Sequence, residues 1–292
     1  MGRAQISRRG LCRALTSGLL GLMVGGSVRA GVSRRLVAVD WAMAETALSL
    51  GHAPVAIAEL IQFRKTTACV VPPGCADLGL RGGPNFEALQ MLAPDLVLSS
   101  NFYGFIGPQL GRIAPVLVPD LFVPGSAVLP RLRAAQTALA RAVGDQDADQ
   151  ALATQTEAEF SQLAAQVASY AATPVCVVTI GDARHVQIFG ADSLYGGVVD
   201  RLGLRNIWRE HTQFGFNAPV PIDRLLDFAP ARLLVVGEVP PSVAKGLSQN
   251  IFWSRLPQVT SGQVTWISPS NPYGGMASAL RFARALVAGV IQ

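Results

Sequence analysis

The sequence predicts an α/β protein of two lobes, each with a mainly parallel sheet, joined by one long rigid helix. Three observations predict it. Short apolar runs of strand length alternate with helical patterns along the chain, as parallel strands connected by covering helices require. Positions 146–171 contain no glycine and no proline, while Leu152, Phe160, Leu163, Val167 and Tyr170 recur at helical spacing. Finally, one pattern occurs twice. Asn85-Phe86-Glu87-Ala88-Leu89 leading to Ala93-Pro94-Asp95-Leu96-Val97-Leu98 is echoed by Ile222-Asp223-Arg224-Leu225-Leu226 leading to Ala229-Pro230-Ala231-Arg232-Leu233-Leu234-Val235. Helix, Ala-Pro break and buried strand thus fall once on each side of the long helix, which suggests two similar, Rossmann-like lobes.

In order, Arg35 to Val39 predicts a short buried strand. Trp41 opens an apolar helix ending near Leu50, with Gly51 suited to the C-terminal cap. Pro54 to Ala58 is a second strand, and Leu60 to Ala76 a polar, irregular loop. Gly82-Gly83-Pro84 predicts a turn, and Asn85 caps a helix running to about Leu92. Pro94 ends that helix, and Leu96 to Leu98 is a buried strand. Phe105 to Ala114 is expected to be helical, Val116 to Val118 a strand, and Ala127 to Val143 a helix closing the first lobe. The long helix is expected to have about 20 to 25 residues and to span about 30 to 38 Å. Such a connector is stiff, unlike a Gly/Ser linker. In the second lobe, strands are expected at Val175 to Ile180, Val186 to Phe189, Leu233 to Val236 and Val264 to Ile267, with a last helix from about Met276 to Val290.

The 292 residues suit two lobes of roughly 120 residues each. The expected divisions are an export signal at 1–30, an N-terminal lobe at 31–145, a connecting helix at 146–172 and a C-terminal lobe at 173–292. A sequence pI near 9.4 is of the kind nucleic-acid binders carry. Charge placement argues against that reading. Residues 1–30 hold Arg3, Arg8, Arg9, Arg13 and Arg29 and no acid, so 19 of the 24 basic residues remain to face 19 acidic ones. The remainder is formally neutral and lacks the basic footprint of phosphate binding, so no nucleic-acid partner is expected.

Those thirty residues combine a basic start, an apolar run from Ala14 to Gly25 too short to span a bilayer, and a small-residue ending, Val28-Arg29-Ala30. This is the pattern of a cleavable signal peptide. Ser7-Arg8-Arg9-Gly10-Leu11 resembles the twin-arginine class. After cleavage Cys69, Cys75 and Cys176 remain, and in an oxidising compartment Cys69 with Cys75 is the sequence-close pair expected to form a disulfide.

The stretch Asp77 to Gly104 carries the candidate site. Arg81 precedes its helix and Tyr103 follows its strand, at the strand's C-terminal edge, where open α/β sheets bind ligands. Arg81 offers a planar fork of donors that stays charged, suited to oxygen atoms of a carboxylate, phosphate or metal-bound hydroxamate. Tyr103 adds a hydroxyl donor. Trp41, Phe102, Phe214, Phe216 and Tyr273 supply aromatic walls of the kind small-molecule pockets use. Enzyme chemistry is poorly provided for. The three histidines, His52, His185 and His211, share no metal-ligand spacing, and no HExxH, GxSxG or GxxxxGK[ST] pattern occurs. No catalytic residue and no protein metal ligand is expected.

The segments VDWAMAETALSLG, GLRGGPN, RHVQIFGADSLY, TQFGFNAPVPIDRLLDF and YGGMASALRFARAL resemble those of the periplasmic ferric hydroxamate-binding proteins, the FhuD type, over essentially the whole chain after the signal. These are solute-binding components of iron-siderophore ABC importers. The resemblance implies a class III periplasmic binding protein with a helical backbone and only small closure on binding. It also implies a ligand whose iron(III) is fully coordinated by the siderophore, such as a ferrichrome-like hydroxamate, so that the protein adds neither metal ligand nor cofactor. By the same resemblance Arg81 and Tyr103 hydrogen-bond the hydroxamate oxygens, aromatic rings pack around the chelate, and Asn217 lies among the binding residues. Glu87 and Asp200, in the contexts NFEAL and GGVVDRLG, correspond to acidic side chains that meet the membrane permease. A monomeric, periplasmic protein is expected.

Two positions depart from the family pattern. Gly215, between Phe214 and Phe216, and Asn271 stand where relatives carry tryptophan, so the second-lobe wall is thinner and a bulkier or differently shaped hydroxamate becomes plausible. Haem, a cobalamin or a catecholate complex would suit the same architecture. A haem binder, however, should supply an axial Tyr, His or Met, and an anionic catecholate should attract clustered basic residues. An exported enzyme with a bound cofactor would need a cofactor motif that the chain does not show.

Overall fold

The computed structural model describes residues 34–210, 212, 218–228 and 231–291. The expected export signal, together with Phe214, Gly215, Phe216, Asn217 and His211, lies outside the described residues.

In chain order the elements are β1 (Leu36–Ala38), α1 (Trp41–Ser49), β2 (Ala56–Ile57), α2 (Leu60–Thr66), β3 (Ala76–Asp77), β4 (Gly79–Leu80), β5 (Gly83–Pro84), α3 (Phe86–Met91) and β6 (Leu96–Leu98). A 3-10 turn at Asn101–Ile106 leads to α4 (Gly107–Leu110), β7 (Val116–Leu117), α5 (Val128–Val143) and α6 (Gln146–Val167). Then come β8 (Pro174–Ile180), β9 (His185–Ile188), α7 (Leu194–Arg201), β10 (Arg205–Asn206) and β11 (Ala218–Pro221). A 3-10 segment, Ile222–Phe228, precedes β12 (Arg232–Val236), α8 (Pro241–Ser248), α9 (Ile251–Arg255), α10 (Pro257–Thr260), β13 (Val264–Ile267) and α11 (Met276–Ile291).

The first sheet has the order β3-β2-β1-β6-β7 and all its pairings are parallel. The second has the order β11-β9-β8-β12-β13, with β10 also pairing β8. There β10, β12 and β13 run parallel, whereas β9 and β11 form antiparallel pairings at one edge. The repeated sequence pattern maps to α3 with β6 and to Ile222–Phe228 with β12, and β6 and β12 are interior strands of their sheets.

The central strands are apolar throughout because both sheet faces are covered. Along β1, Leu36 and Ala38 point to one cluster and Val37 to another, the period-2 alternation of a strand. The inner cluster is shared by the two sheets. It joins Leu36, Ala38 and Leu98 to Val175, Val177 and Leu234 through residues of α1, α5, α6, α7 and α11. α6 has 22 residues, about 33 Å by its rise. Asp145 caps it by accepting from Ala148 N at 3.2 Å, and Asp149 in its first turn accepts from Arg133, Gln136 and Thr137 of α5.

Several expectations need correction. Leu60 to Ala76 is not wholly irregular: α2 occupies Leu60–Thr66 and buries Leu60 and Phe63, a pair too few to reveal a period. The turn lies at Arg81-Gly82, while Gly83-Pro84 forms a strand paired with Gly79–Leu80. Phe105 to Ala114 divides into the end of a 3-10 turn and the four-residue α4. α7 was missed because Gly196 and Gly197 argue against helix. A Cβ on Gly196 would collide with Gly190 O, so glycine serves close backbone packing there. The expected Cys69–Cys75 disulfide is absent, and among the described residues all three cysteines are free thiols. The two side chains are held by different neighbours: Cys69 Sγ lies 3.6 Å from Ser49 Oγ, whereas Cys75 Sγ lies 3.9 Å from Ala76 O.

Candidate functional site

Side chains from the C-terminal ends of four adjacent parallel strands converge on one opening. β1 runs into Asp40 and Trp41, β2 into Glu59, β6 into Ser100, Phe102 and Tyr103, and β7 into Phe122. The β4–β5 hairpin brings Arg81 over them. Tyr273, from the segment between β13 and α11, approaches from the half of the chain that carries the second sheet. Asp40, Arg81, Phe102, Tyr103, Phe122 and Tyr273 line a common cavity of about 80 Å³.

Arg81 is fixed on two sides. Its Cζ lies 3.8 Å from the centroid of the Trp41 ring, a cation–π stack. Its Nε donates to Glu59 Oε2 at 2.9 Å, and its backbone N–H to Glu59 Oε1 at 3.3 Å. The terminal Nη groups make no hydrogen bond among the described residues. Trp41 is held in turn, its Nε1 donating to Ala58 O at 2.9 Å and its ring lying 5.8 Å from Phe63. Trp41 is therefore a buried bed for the guanidinium, and exposed Phe102 with half-buried Tyr273 forms the open side of the wall, backed by buried Tyr103 and Phe122.

Glu59 adopts a left-handed backbone, φ 51°, unusual for a residue with a side chain. That conformation starts α2 and brings the carboxylate to Arg81. Asp40 caps α1, accepting from Met43 N at 3.0 Å and from Ser100 Oγ at 2.7 Å. Burial pushes the Asp40 carboxyl above its usual range, against these hydrogen bonds and nearby Arg81. Burial likewise pushes the Tyr103 phenol up to about 12, with Arg81 pulling the other way, so near neutral pH it remains a protonated donor. Its hydroxyl makes no hydrogen bond among the described residues.

The rings form a connected group. Phe102, 48% exposed, lies 5.2 Å from Tyr103, 5.8 Å from Phe122 and 6.5 Å from Tyr273. Phe122 and Tyr273 are 6.3 Å apart. Arg81, Tyr103, Phe102 and Tyr273 thus meet as the sequence suggested. Asp40, Glu59 and Phe122 were not foreseen. A charged residue directly after a buried parallel strand was the available signal for the first two; Phe122 offered none.

Glu87, in the first turn of α3, and Asp200, in α7, are both exposed and belong to opposite halves of the chain. Among the described residues no group of three or more His, Cys, Asp or Glu side chains is placed to hold a metal ion. Nor is any described helix long and apolar enough to cross a membrane. A larger cavity, about 620 Å³, lies between α5, α6 and α7. Both cationic groups on its wall are already engaged, Arg133 with Asp149 and Arg201 with Glu157, and the other charged group there, Asp200, is an acceptor. It lacks the free, convergent donors found above Trp41.

Two sheets, a shared helical layer and donors facing an aromatic cavity describe a protein that holds a solute between its halves. The chain belongs to the periplasmic binding protein family, whose model matches residues 36–270. It is 30% identical to the iron(3+)-hydroxamate-binding protein FhuD of Escherichia coli (strain K12) over 287 residues, 98% of this chain and 97% of that protein. The crystal structure of FhuD from Vibrio cholerae, bound to Fe3+-Desferal, has the same fold with a TM-score of 0.82 at 24% identity, covering 89% of this chain and 98% of that one. The petrobactin-binding protein YclQ of Bacillus subtilis shares the fold with a TM-score of 0.72 at 17% identity, covering 89% and 92%.

Proposed function

We propose that this protein captures a ferric hydroxamate siderophore, ferrichrome-like in its chelating groups, and delivers it to an inner-membrane ABC importer. The observation that carries the reading is the pairing of Arg81 and Tyr103. Each presents donors without a partner among the described residues, facing one cavity beside the Phe102, Phe122 and Tyr273 rings. Donors suit an iron complex whose oxygen atoms already wrap the metal; an arginine and a protonated phenol would serve poorly as ligands for bare iron. In this reading the siderophore supplies all the metal coordination and the protein needs no cofactor. The 30% identity to the Escherichia coli iron(3+)-hydroxamate-binding protein supports the same ligand class.

The protein acts as a periplasmic monomer, exported through its twin-arginine-type signal, and serves as carrier rather than catalyst. Glu87 and Asp200 meet the permease, one from each half. Phe214, Phe216 and Asn217, which lie outside the described residues, are assigned to ligand binding from the sequence alone. Asn271 favours a chelate shaped differently from those of its relatives. It is a small buried amide whose Nδ2 has no hydrogen-bond partner among the described residues, and it offers no aromatic surface beside Tyr273.

Fluorescence titration against ferric hydroxamates, ferric catecholates and haem tests the reading, Trp41 lying beneath the proposed ligand. Saturable quenching by a ferric hydroxamate, weakened by Arg81→Ala, is the expected result. Quenching by haem or a catecholate alone would overturn it.

A further inference from the structure

Glu45 is fully buried, 0% exposed, one helical turn beyond Trp41 on α1. Its carboxylate leaves its own half of the chain. Oε2 accepts from Gly275 N at 2.8 Å and Ser278 N at 3.2 Å, at the start of α11. Oε1 accepts from Ser278 Oγ at 2.7 Å and from Thr67 Oγ1 at 2.9 Å. Arg281, one turn further along α11, donates to Thr67 O at 3.0 Å. The backbone of the Gly274-Gly275 pair has room to approach only because it carries no side chains. A Cβ on Gly275 would lie 2.8 Å from Ala42 O, and one on Gly274 would lie 2.8 Å from Glu45 Oε2. The YGGMASALRFARAL segment thus presses its glycines onto α1, with Tyr273 directly before them.

We propose that Glu45 is a positioning residue for the binding site: by tying the start of α11 to α1 it holds Tyr273 against Phe102 and Phe122, across from Arg81. The same helix, α1, then carries the Arg81 bed at its first residue and the tie to the other half one turn later. Losing the tie would let Tyr273 and the second sheet drift from Arg81. This inference rests on the ligand reading above for its effect on affinity, but not for its effect on geometry.

The hydrogen bonds distinguish the informative substitutions. Oε2 receives two backbone N–H groups and must be a bare oxygen, whereas the hydroxyls at Oε1 can reverse and accept. Glu45→Gln can therefore keep all four bonds, with its carbonyl toward α11 and its amide toward Thr67 and Ser278. Glu45→Ala loses them. Gly275→Ala attacks the same junction sterically.

The test places spin labels, through unnatural amino acids, at exposed Gln90 and Gln249 and measures their distance distribution without ligand. Ferric Desferal is then titrated into each variant. Glu45→Ala and Gly275→Ala are expected to broaden or shift the distribution and to weaken ferric Desferal binding by roughly tenfold or more, on the scale of charged hydrogen bonds lost. Glu45→Gln should restore both. A folded Glu45→Ala or Gly275→Ala protein with the wild-type distribution would overturn the proposal, whatever its melting temperature. If Glu45→Ala does not fold, Ser278→Ala, which removes the hydroxyl contact to Oε1 and keeps the backbone one to Oε2, is read in the same way with a smaller expected shift. Should wild-type protein bind no ferric hydroxamate, the ligand reading fails, and the distance measurement still decides the role of Glu45.

Discussion

Arg81 rests on Trp41 with its Cζ 3.8 Å from the ring centroid, while Glu59 holds its Nε edge. One edge and one face of the guanidinium are thereby used within the protein, and the Nη groups are left to face the cavity. A lysine cannot reproduce this arrangement, since a point charge has neither planar face nor separate Nε edge.

Arg81→Lys should therefore bind ferric hydroxamate nearly as poorly as Arg81→Ala. Loss of one or more charged hydrogen bonds predicts a fall of roughly 10- to 150-fold in affinity. Glu59→Gln should also weaken binding while changing stability by less than about 1 kcal/mol, because both partners of the ion pair are partly exposed. Titration and thermal melting of the same samples separate the two effects, and unchanged affinity in Arg81→Lys would contradict the role assigned to the stack.

Charge reversal at both docking candidates, Glu87→Arg with Asp200→Arg, should abolish siderophore-dependent growth while leaving ligand affinity within about twofold, since neither residue approaches the Arg81 cavity. Lost ligand binding in the double variant would refute the assignment.

Protein from residue 31 onward should titrate as three thiols under denaturing, non-reducing conditions. In the native state Cys75 should react first. Burial pushes Cys69 up to about 11 and fully buried Cys176 up to about 12, so Cys176 should react only at the rate of unfolding. Mass spectrometry after timed alkylation reads the order, and rapid native labelling of Cys176 would contradict it.

The joint between α5 and α6 sets an acid sensitivity. Hydrogen bonds from Arg133, then from Thr137 and Gln136, hold the Asp149 carboxyl below its ordinary range against the effect of burial. Its folded value lies below the unfolded one, near 3.9, so its stabilising contribution is complete above that pH and is lost as pH falls through the folded value. Asp149→Asn should cost about 1–2 kcal/mol near pH 7, allowing for the partly exposed Arg133. It should also flatten the fall in stability below about pH 4. An unchanged acid-unfolding profile would show that the pair contributes nothing.

Local chemistry was legible where a residue's role depends on its near neighbours. Asn85 caps α3 by accepting from Ala88 N at 2.9 Å, and Val264–Ile267 forms the expected strand. Arg81 and Tyr103 were legible because turn and strand-end signals sit beside them. What was hidden depends on partners far along the chain. Glu59 meets Arg81 from 22 positions away and Asp40 meets Ser100 from 60, distances over which no periodicity speaks. The cysteine pairing failed for a related reason, since spacing says nothing about which neighbour each thiol packs against. α2 and α7 were obscured by brevity and by glycines placed for backbone contact.

The cluster running unbroken from β1 and β6 to β8 and β12 has a consequence for unloading. Prising the halves apart would wet side chains such as Leu132, Phe160 and Phe282, each now hidden and each worth about 1.5–3 kcal/mol to expose. Spontaneous gaping wide enough to shed a cargo is therefore rare. The carrier should let go only when something grips it by both shoulders and supplies the work, so the timing of release belongs to the importer.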